Sequence, residues 1–206
     1  MGDRDTIQGT PEWFDTKRGK FSSSKVLDLC PGAKGAYTAA RENYIMDVVL
    51  QILTGETETT FTSFDMQRGA DLESEAREAY EAKTGSYVDQ VGFENHPEIA
   101  RFGGSPDGEV DEDGGIEIKC PQAKEHYRTL SGGAIQKKYL YQVQGNLMCT
   151  GRKWFDFVSY HPGFPEHLQL YIKRIEPDQM IFTEIRREVE KANVEVDKRL
   201  EVLKAL

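Results

Sequence analysis

One stretch of the chain concentrates residue types that handle hard cations and phosphate. Asp107 is followed, after nine intervening residues, by Glu117, Ile118 and Lys119. The segment IEIK alternates, so in a strand Ile116 and Ile118 share one face while Glu117 and Lys119 share the other. The acid- and glycine-rich DEDGG between two strand-like runs reads as a hairpin that carries Asp107 across to them. Two carboxylates converging beside a backbone carbonyl make an oxygen-only site suited to Mg²⁺ or Mn²⁺. A neighbouring ammonium could hold or deprotonate an attacking water and offset charge building on phosphorus. The bare pattern arises by chance about once in a chain of this size, so its context has to carry the weight. GGSPDG leads into the first acid, and a charged pair inside an otherwise apolar strand is costly without partners or a task.

The frame that must position these residues is read from periodicity. Ser22–Ser24 with Lys25 can cap a first helix through VLDLC, stopped by Pro31 and Gly32. A second helix spans Ala36 to Leu53, closed by Gly55, and TETTFTSF at 57–64 reads as a loop. RGADLESEAREAYEAKTG forms a strong helix with Leu72, Ala76, Ala79 and Tyr80 on one stripe and Gly85 as its stop. A strand-rich middle follows (SYVDQVGFE, ARFGGSPDGEV, IEIKCP), then a helix from about Gly133 to Cys149. KWFDFVSY and HLQLYIKRI are two further strands. From Pro177 a long helix places Phe182, Ile185, Val189, Ala192, Val196, Leu200 and Leu203 on one face. The order predicts an α/β (α+β) chain, a mixed sheet flanked by helices, as one domain over 1–206.

Composition bounds the function. The 206 residues carry 38% hydrophobic and 30% charged side chains, and ten Phe, nine Tyr and two Trp suffice for one core. No apolar run approaches the roughly 20 residues of a membrane span, and MGDRDTIQGT has no apolar signal region, so a soluble intracellular protein is expected. Cys30, Cys120 and Cys149 form no paired motif with each other or with the four histidines, which argues against disulfides, structural zinc and iron–sulfur clusters. The net charge is −9, yet residues 16–41 hold six basic residues against Asp28 alone. Residues 119–138 hold five against Glu125 alone. Such patches suit an enzyme taking an anionic substrate into one groove, and equally an unevenly charged solvated face. The aromatics Trp154, Phe155, Phe157, Tyr160 and Phe164 sit in a strand pattern and read as core rather than base-stacking platforms.

Four motifs recur in one order. WFDTKRGKFSSS, RGADLESEAREAYEAKTG, GGSPDG with IEIKCP, and YLYQVQGNLMCTGRKWFDFVSYHP together resemble the YqaJ/lambda-exonuclease family of phage recombination nucleases. That family lies within the PD-(D/E)XK superfamily, and the likeness covers nearly the whole chain. It implies a restriction-endonuclease-like core and a Mg²⁺-dependent exonuclease, with Mn²⁺ as substitute and two ions per site. Such an enzyme degrades one strand of linear duplex DNA from its 5′ end to mononucleotides and leaves a 3′ tail for recombination. By the same likeness Asp107, Glu117, the Ile118 carbonyl and Glu73 hold the metal, and Lys119 serves the water. A 5′-phosphate pocket falls on Lys17 or Arg18 with Ser24, Ser105 and Gln142. Arginine, with its paired donors, is the better phosphate grip, but Lys17 stands where the family has it. Met66 aligns with an apolar wedge between terminal bases, and Lys34 with a minor-groove contact; core and surface roles are their alternatives. The resemblance further implies a homotrimer, a single-strand annealing protein as partner, and the cytoplasm of a bacterial host. An endonuclease of the same superfamily, and a non-catalytic DNA-end binder or DNA mimic, are the competing functions.

Overall fold

The computed structural model describes residues 5–57 and 64–204, with side chains in the second stretch from Gln67 onward. Only the ends of the expected 57–64 loop are described, and the Met66 side chain lies outside the described residues. A five-stranded mixed sheet runs in the order β2 (Val88–Asp89), β5 (Gly108–Val110), β6 (Gly114–Lys119), β7 (Trp154–Tyr160), β8 (Leu170–Ile175). β6 and β7 are parallel, and the other pairs are antiparallel. A parallel pair needs a crossover, and helices α4 (Ala123–Gly132) and α5 (Lys137–Thr150) supply it. A smaller sheet joins β1 (Phe21–Ser22), β4 (Phe102–Gly104) and β3 (Glu94–Asn95).

Alternation along the central strands decides which helix covers which face. Ile116, Ile118, Val158 and Tyr160 pack against Ala76 and Tyr80 of α3 (Phe64–Thr84). Phe155 and Phe157 face the other way, onto Val143 and Leu147 of α5. Behind α5 the core extends to α2 (Ala39–Thr54) and α6 (Gln179–Lys204). Ile185, Val189, Ala192 and Val196 of α6 are wholly buried there, with Phe182 and Leu200 partly so, and the apolar face read from the sequence packs on its own chain up to Leu200, leaving Leu203 exposed. One polar group enters the α3 face: buried Asp156, bonded by Tyr80 Oη at 2.8 Å and by two guanidinium nitrogens of Arg174 at 2.9 Å. A buried carboxylate left without such donors would cost several kcal/mol, on the order of 3–5.

The helices depart from expectation in three places. Ser23–Leu29 forms a 3₁₀ turn rather than an α-helix, because Phe21 and Ser22 pair with Phe102 and Gly103, leaving few residues before Pro31. The second helix starts at Ala39, since the Ala36 carbonyl is spent on a turn to Gly32. The helix expected from about Gly133 to Cys149 begins at Lys137, as α5, and a further helix that the sequence reading lacks, α4, precedes it. Gly133, at φ +59°, ends α4 and donates its amide to the Thr129 carbonyl. α4 lacks an apolar stripe; its buried positions are His126 and Thr129, and periodicity cannot reveal them. His126 donates from Nε2 to the Leu168 carbonyl and accepts at Nδ1 from Ser159, both at 2.8 Å. A preceding short helix, α1 (Pro11–Lys17), starts with Pro11 behind the Thr10 cap.

Tyr80→Phe keeps the ring and deletes one donor to Asp156. It should lower the unfolding free energy by about 1–2 kcal/mol in urea denaturation, while an unchanged midpoint would show that Arg174 alone satisfies the acid.

Candidate active site

The β5–β6 register pairs Gly108 with Ile116, which one step further sets Asp107 opposite Glu117. Asp107 Oδ2 accepts the Ile118 amide at 2.6 Å, so the acid is tied to the strand it faces. Glu117 is wholly buried on the α5 face. Its carboxylate accepts from Lys119 Nζ at 2.5 Å and from Asn146 Nδ2 at 3.0 Å. Glu73 reaches the same place from α3 and is held by Arg77, one turn on, at 2.6 Å. Asp107, Ile118, Lys119 and Glu73 line a cleft of about 640 Å³, whose other walls include Arg68, Gln136, Lys138 and Tyr139. Arg68 braces the rim by donating to the Cys120 and Pro121 carbonyls.

The electrostatics of this cluster are lopsided. Burial, and then the Asp107 charge, push Glu117 up to about 8. The same causes in the same order push Glu73 up to about 7, and burial raises Asp107 as well. Burial works against the Lys119 charge, but Glu117 and Asp107 outweigh it and the ammonium form is favoured. Lys119 is thereby suited to orienting a water and neutralising an oxyanion, not to taking a proton. Three buried acids, with the Asp107 charge raising both Glu73 and Glu117, sit beside one lysine and one arginine and are short of positive charge. Among the described residues no three His, Cys, Asp or Glu side chains form a ready-made cation cage. Asp107, Glu73 and Ile118 instead line the cleft while Glu117 lies buried behind its wall, an oxygen-only set whose chemistry fits a Mg²⁺-type ion that keeps several waters.

A second, smaller pocket of about 130 Å³ adjoins the cleft and shares Asp107 as a wall. Lys17, Ser24, Ser105 and Gln142 all line it, together with Gln8, Trp13, Ser22 and Ser23. Lys17 lies 3.6 Å above the Trp13 ring and has no ion pair among the described residues. Burial, and then Lys25, pull its ammonium down to about 8, so an anion seated there would restore its charge. Trp13 Nε1 donates to Ser105 Oγ at 3.0 Å, and Gln8 bridges the Val91 and Pro106 carbonyls beside Asp107. Arg18 is not in the lining; its guanidinium pairs with Asp15. Lys34 is exposed, and Phe155, Phe157 and Tyr160 are buried core.

Sequence reasoning missed Asn146, Trp13, Gln8 and Tyr139. Asn146 had a readable signal: it lies four residues after Gln142 in α5, so one helix face serves both pockets. Gly104 shows how closely this corner is packed, since a Cβ there would fall 2.3 Å from Asn146 Oδ1. All three cysteines are buried free thiols, and no helix among the described residues is long and apolar enough to cross a membrane.

A mixed sheet with an acid pair and a lysine on facing strands, sandwiched between helices, is the PD-(D/E)XK nuclease core. The YqaJ-like viral recombinase domain matches residues 12–153, and the chain belongs to that family of nucleases. An alkaline exonuclease (LHK-Exo) from Laribacter hongkongensis is 41% identical, with a TM-score of 0.89 over 95% of this chain and 97% of that one. The same exonuclease in complex with dAMP is similar over the same shares at 41% identity and a TM-score of 0.88. A phage related exonuclease from Haemophilus somnus 129PT shares the fold at 15% identity, with a TM-score of 0.69 over 89% of this chain and 96% of that chain. No curated protein is a match.

Glu73 titrates at about 7 in the fold against an ordinary 4.5, so the native state holds its proton more tightly between these values. Stability therefore falls as pH rises through that window. In chelator, the wild type should lose more thermal stability than Glu73→Gln between about pH 5 and about pH 8, and Mg²⁺ should restore the wild type at the upper end. Parallel curves for the two proteins would remove Glu73 from the charge-deficient cluster.

Proposed function

We propose that the protein is a Mg²⁺-dependent exonuclease that degrades one strand of linear double-stranded DNA in the 5′→3′ direction. It releases mononucleotides and leaves a 3′ single-stranded tail for phage-type recombination. The observation that carries this reading is the shared Asp107 wall between the carboxylate cleft and the Lys17 pocket. A terminal 5′-phosphate seated on Lys17, Ser24, Ser105 and Gln142 lies next to the acids that would act on the following phosphodiester. An endonuclease has no use for such a seat.

The donor set Asp107, Glu117 and the Ile118 carbonyl would hold the cation, with Glu73 alongside. The chemistry supplied by a bound divalent cation is neutralisation of phosphoryl charge and easier ionisation of water. The chain's own residues do the rest. Asn146 and Lys119 fix the Glu117 carboxylate from two sides. The Lys119 ammonium holds a water by hydrogen bond and offsets negative charge on the pentacovalent phosphorus. Water oxygen bonds to phosphorus, the bond from phosphorus to the 3′ oxygen breaks, and one proton leaves the water while another reaches the 3′ oxygen. The strand keeps a new 5′-phosphate, which the Lys17 pocket draws in for the next cycle. The similarity to an exonuclease solved in complex with dAMP supports a mononucleotide product. Family membership supports the wider reading: a homotrimer on linear duplex DNA, partnered by a single-strand annealing protein in the bacterial cytoplasm.

On linear duplex with Mg²⁺, nucleotides should be released faster from 5′-phosphoryl than from 5′-hydroxyl ends, and a covalently closed circle should stay intact. Lys119→Ala should cut turnover by about 10²–10³. Lys17→Ala should narrow the preference for 5′-phosphate by about tenfold or more, and Arg18→Ala far less. Cutting of the circle would favour an endonuclease. Metal-independent end binding without cleavage would favour a binding protein.

A further inference from the structure

The two pockets share more than a wall. Ser23, which lines the anion pocket, donates from Oγ to Asn146 Oδ1 at 2.5 Å. Asn146 in turn donates from Nδ2 to Glu117 Oε2 at 3.0 Å. All three side chains are buried: Ser23 at 2%, Asn146 at 0% and Glu117 at 0% relative exposure. The amide's NH₂ faces Glu117 and its oxygen faces the serine hydroxyl, the orientation that an ionised Glu117, which only accepts, requires. Glycines close the space around it. A Cβ at Gly104 would meet Asn146 at 2.3 Å and Ser23 at 2.8 Å, and one at Gly145 would meet Ser23 at 2.7 Å. The absence of a side chain at both glycines is what lets Ser23 and Asn146 lie this close to the backbone.

We propose that Asn146 is a positioning residue, clamped by Ser23, that fixes the Glu117 carboxylate and joins the anion pocket and the cation site into one rigid unit. The inference rests on the cation-site reading above and adds what sets its precision. Outer hydrogen-bond partners of a metal-binding carboxylate hold its orientation, and losing one commonly costs about 10–100-fold in metal affinity. Here the outermost member, Ser23, opens the turn that carries Ser24, so the distance between end-phosphate seat and metal carboxylate is set through one buried chain of hydrogen bonds.

The test is Mn²⁺ binding by the full-length protein without DNA, followed by titration calorimetry. Asn146→Ala and Ser23→Ala should each weaken binding about tenfold or more. The double variant should be no weaker than Asn146→Ala, because Ser23 acts only through Asn146. Cys149→Ala, a buried truncation one turn along the same helix, should lower thermal stability and leave Mn²⁺ affinity unchanged. Ser23→Ala deletes a single atom and keeps the test alive if Asn146→Ala fails to fold. Unchanged Mn²⁺ affinity in Ser23→Ala, with a wild type that binds, overturns the relay and leaves the cation site standing. A wild type that takes up no Mn²⁺ overturns the cation site and the relay with it.

Discussion

Everything in the molecule turns on three carboxylates gathered where the central strands β5 and β6 meet α3, with too little positive charge to offset their burial. Glu117 is wholly buried and Glu73 and Asp107 lie close by, so burial raises all three acids and the Asp107 charge raises Glu73 and Glu117 further. Lys119 and Arg77 offset part of this. A fold tolerates such a cluster only where the deficit serves a purpose, and a divalent cation is the simplest species that removes it. The neighbouring pocket is the electrical complement: a half-buried lysine with no ion pair among the described residues, suited to an anion. The two lie side by side with Asp107 common to both, and in the proposed reading they take two successive phosphates of one strand.

The scaffold exists to hold that arrangement. Strand alternation sends Ile116 and Ile118 into the α3 core and turns Glu117 toward α5, so one strand serves packing and chemistry on opposite faces. α3 delivers Glu73 and α5 delivers Gln142 and Asn146, while α1 contributes Lys17 and the Trp13 platform. The buried α2 and α6 layers stiffen α5 from behind. Nothing in the described site rides on a long loop, which keeps the donors preorganised.

Much of this could be read from the residues. The α3 stripe and the apolar face of α6 followed from period, because each buries a regular run of side chains, and the hairpin that pairs Asp107 with Glu117 followed from the turn residues DEDGG between two strand-like runs. α4 escaped because its buried face is His126 and Thr129, polar residues whose burial depends on hydrogen bonds to Leu168 and Ser159 far along the chain. The 3₁₀ turn at Ser23–Leu29 escaped for a related reason: pairing of Phe21 and Ser22 with β4 is a tertiary event. The choice between Lys17 and Arg18 turned on the Asp15 pairing and on which side chain stacks over Trp13, neither of which spacing expresses.

The most direct test of the charge-deficit account is to count protons released when Mn²⁺ binds, by calorimetry in two buffers of different ionisation enthalpy near pH 6.5. At that pH Glu73 and Glu117, pushed up to about 7 and about 8, hold protons that an incoming cation must displace. The account predicts uptake of Mn²⁺ with net proton release that disappears toward about pH 9, above both values. Binding with no proton exchange at any pH would show acids already ionised and satisfied, and would contradict it.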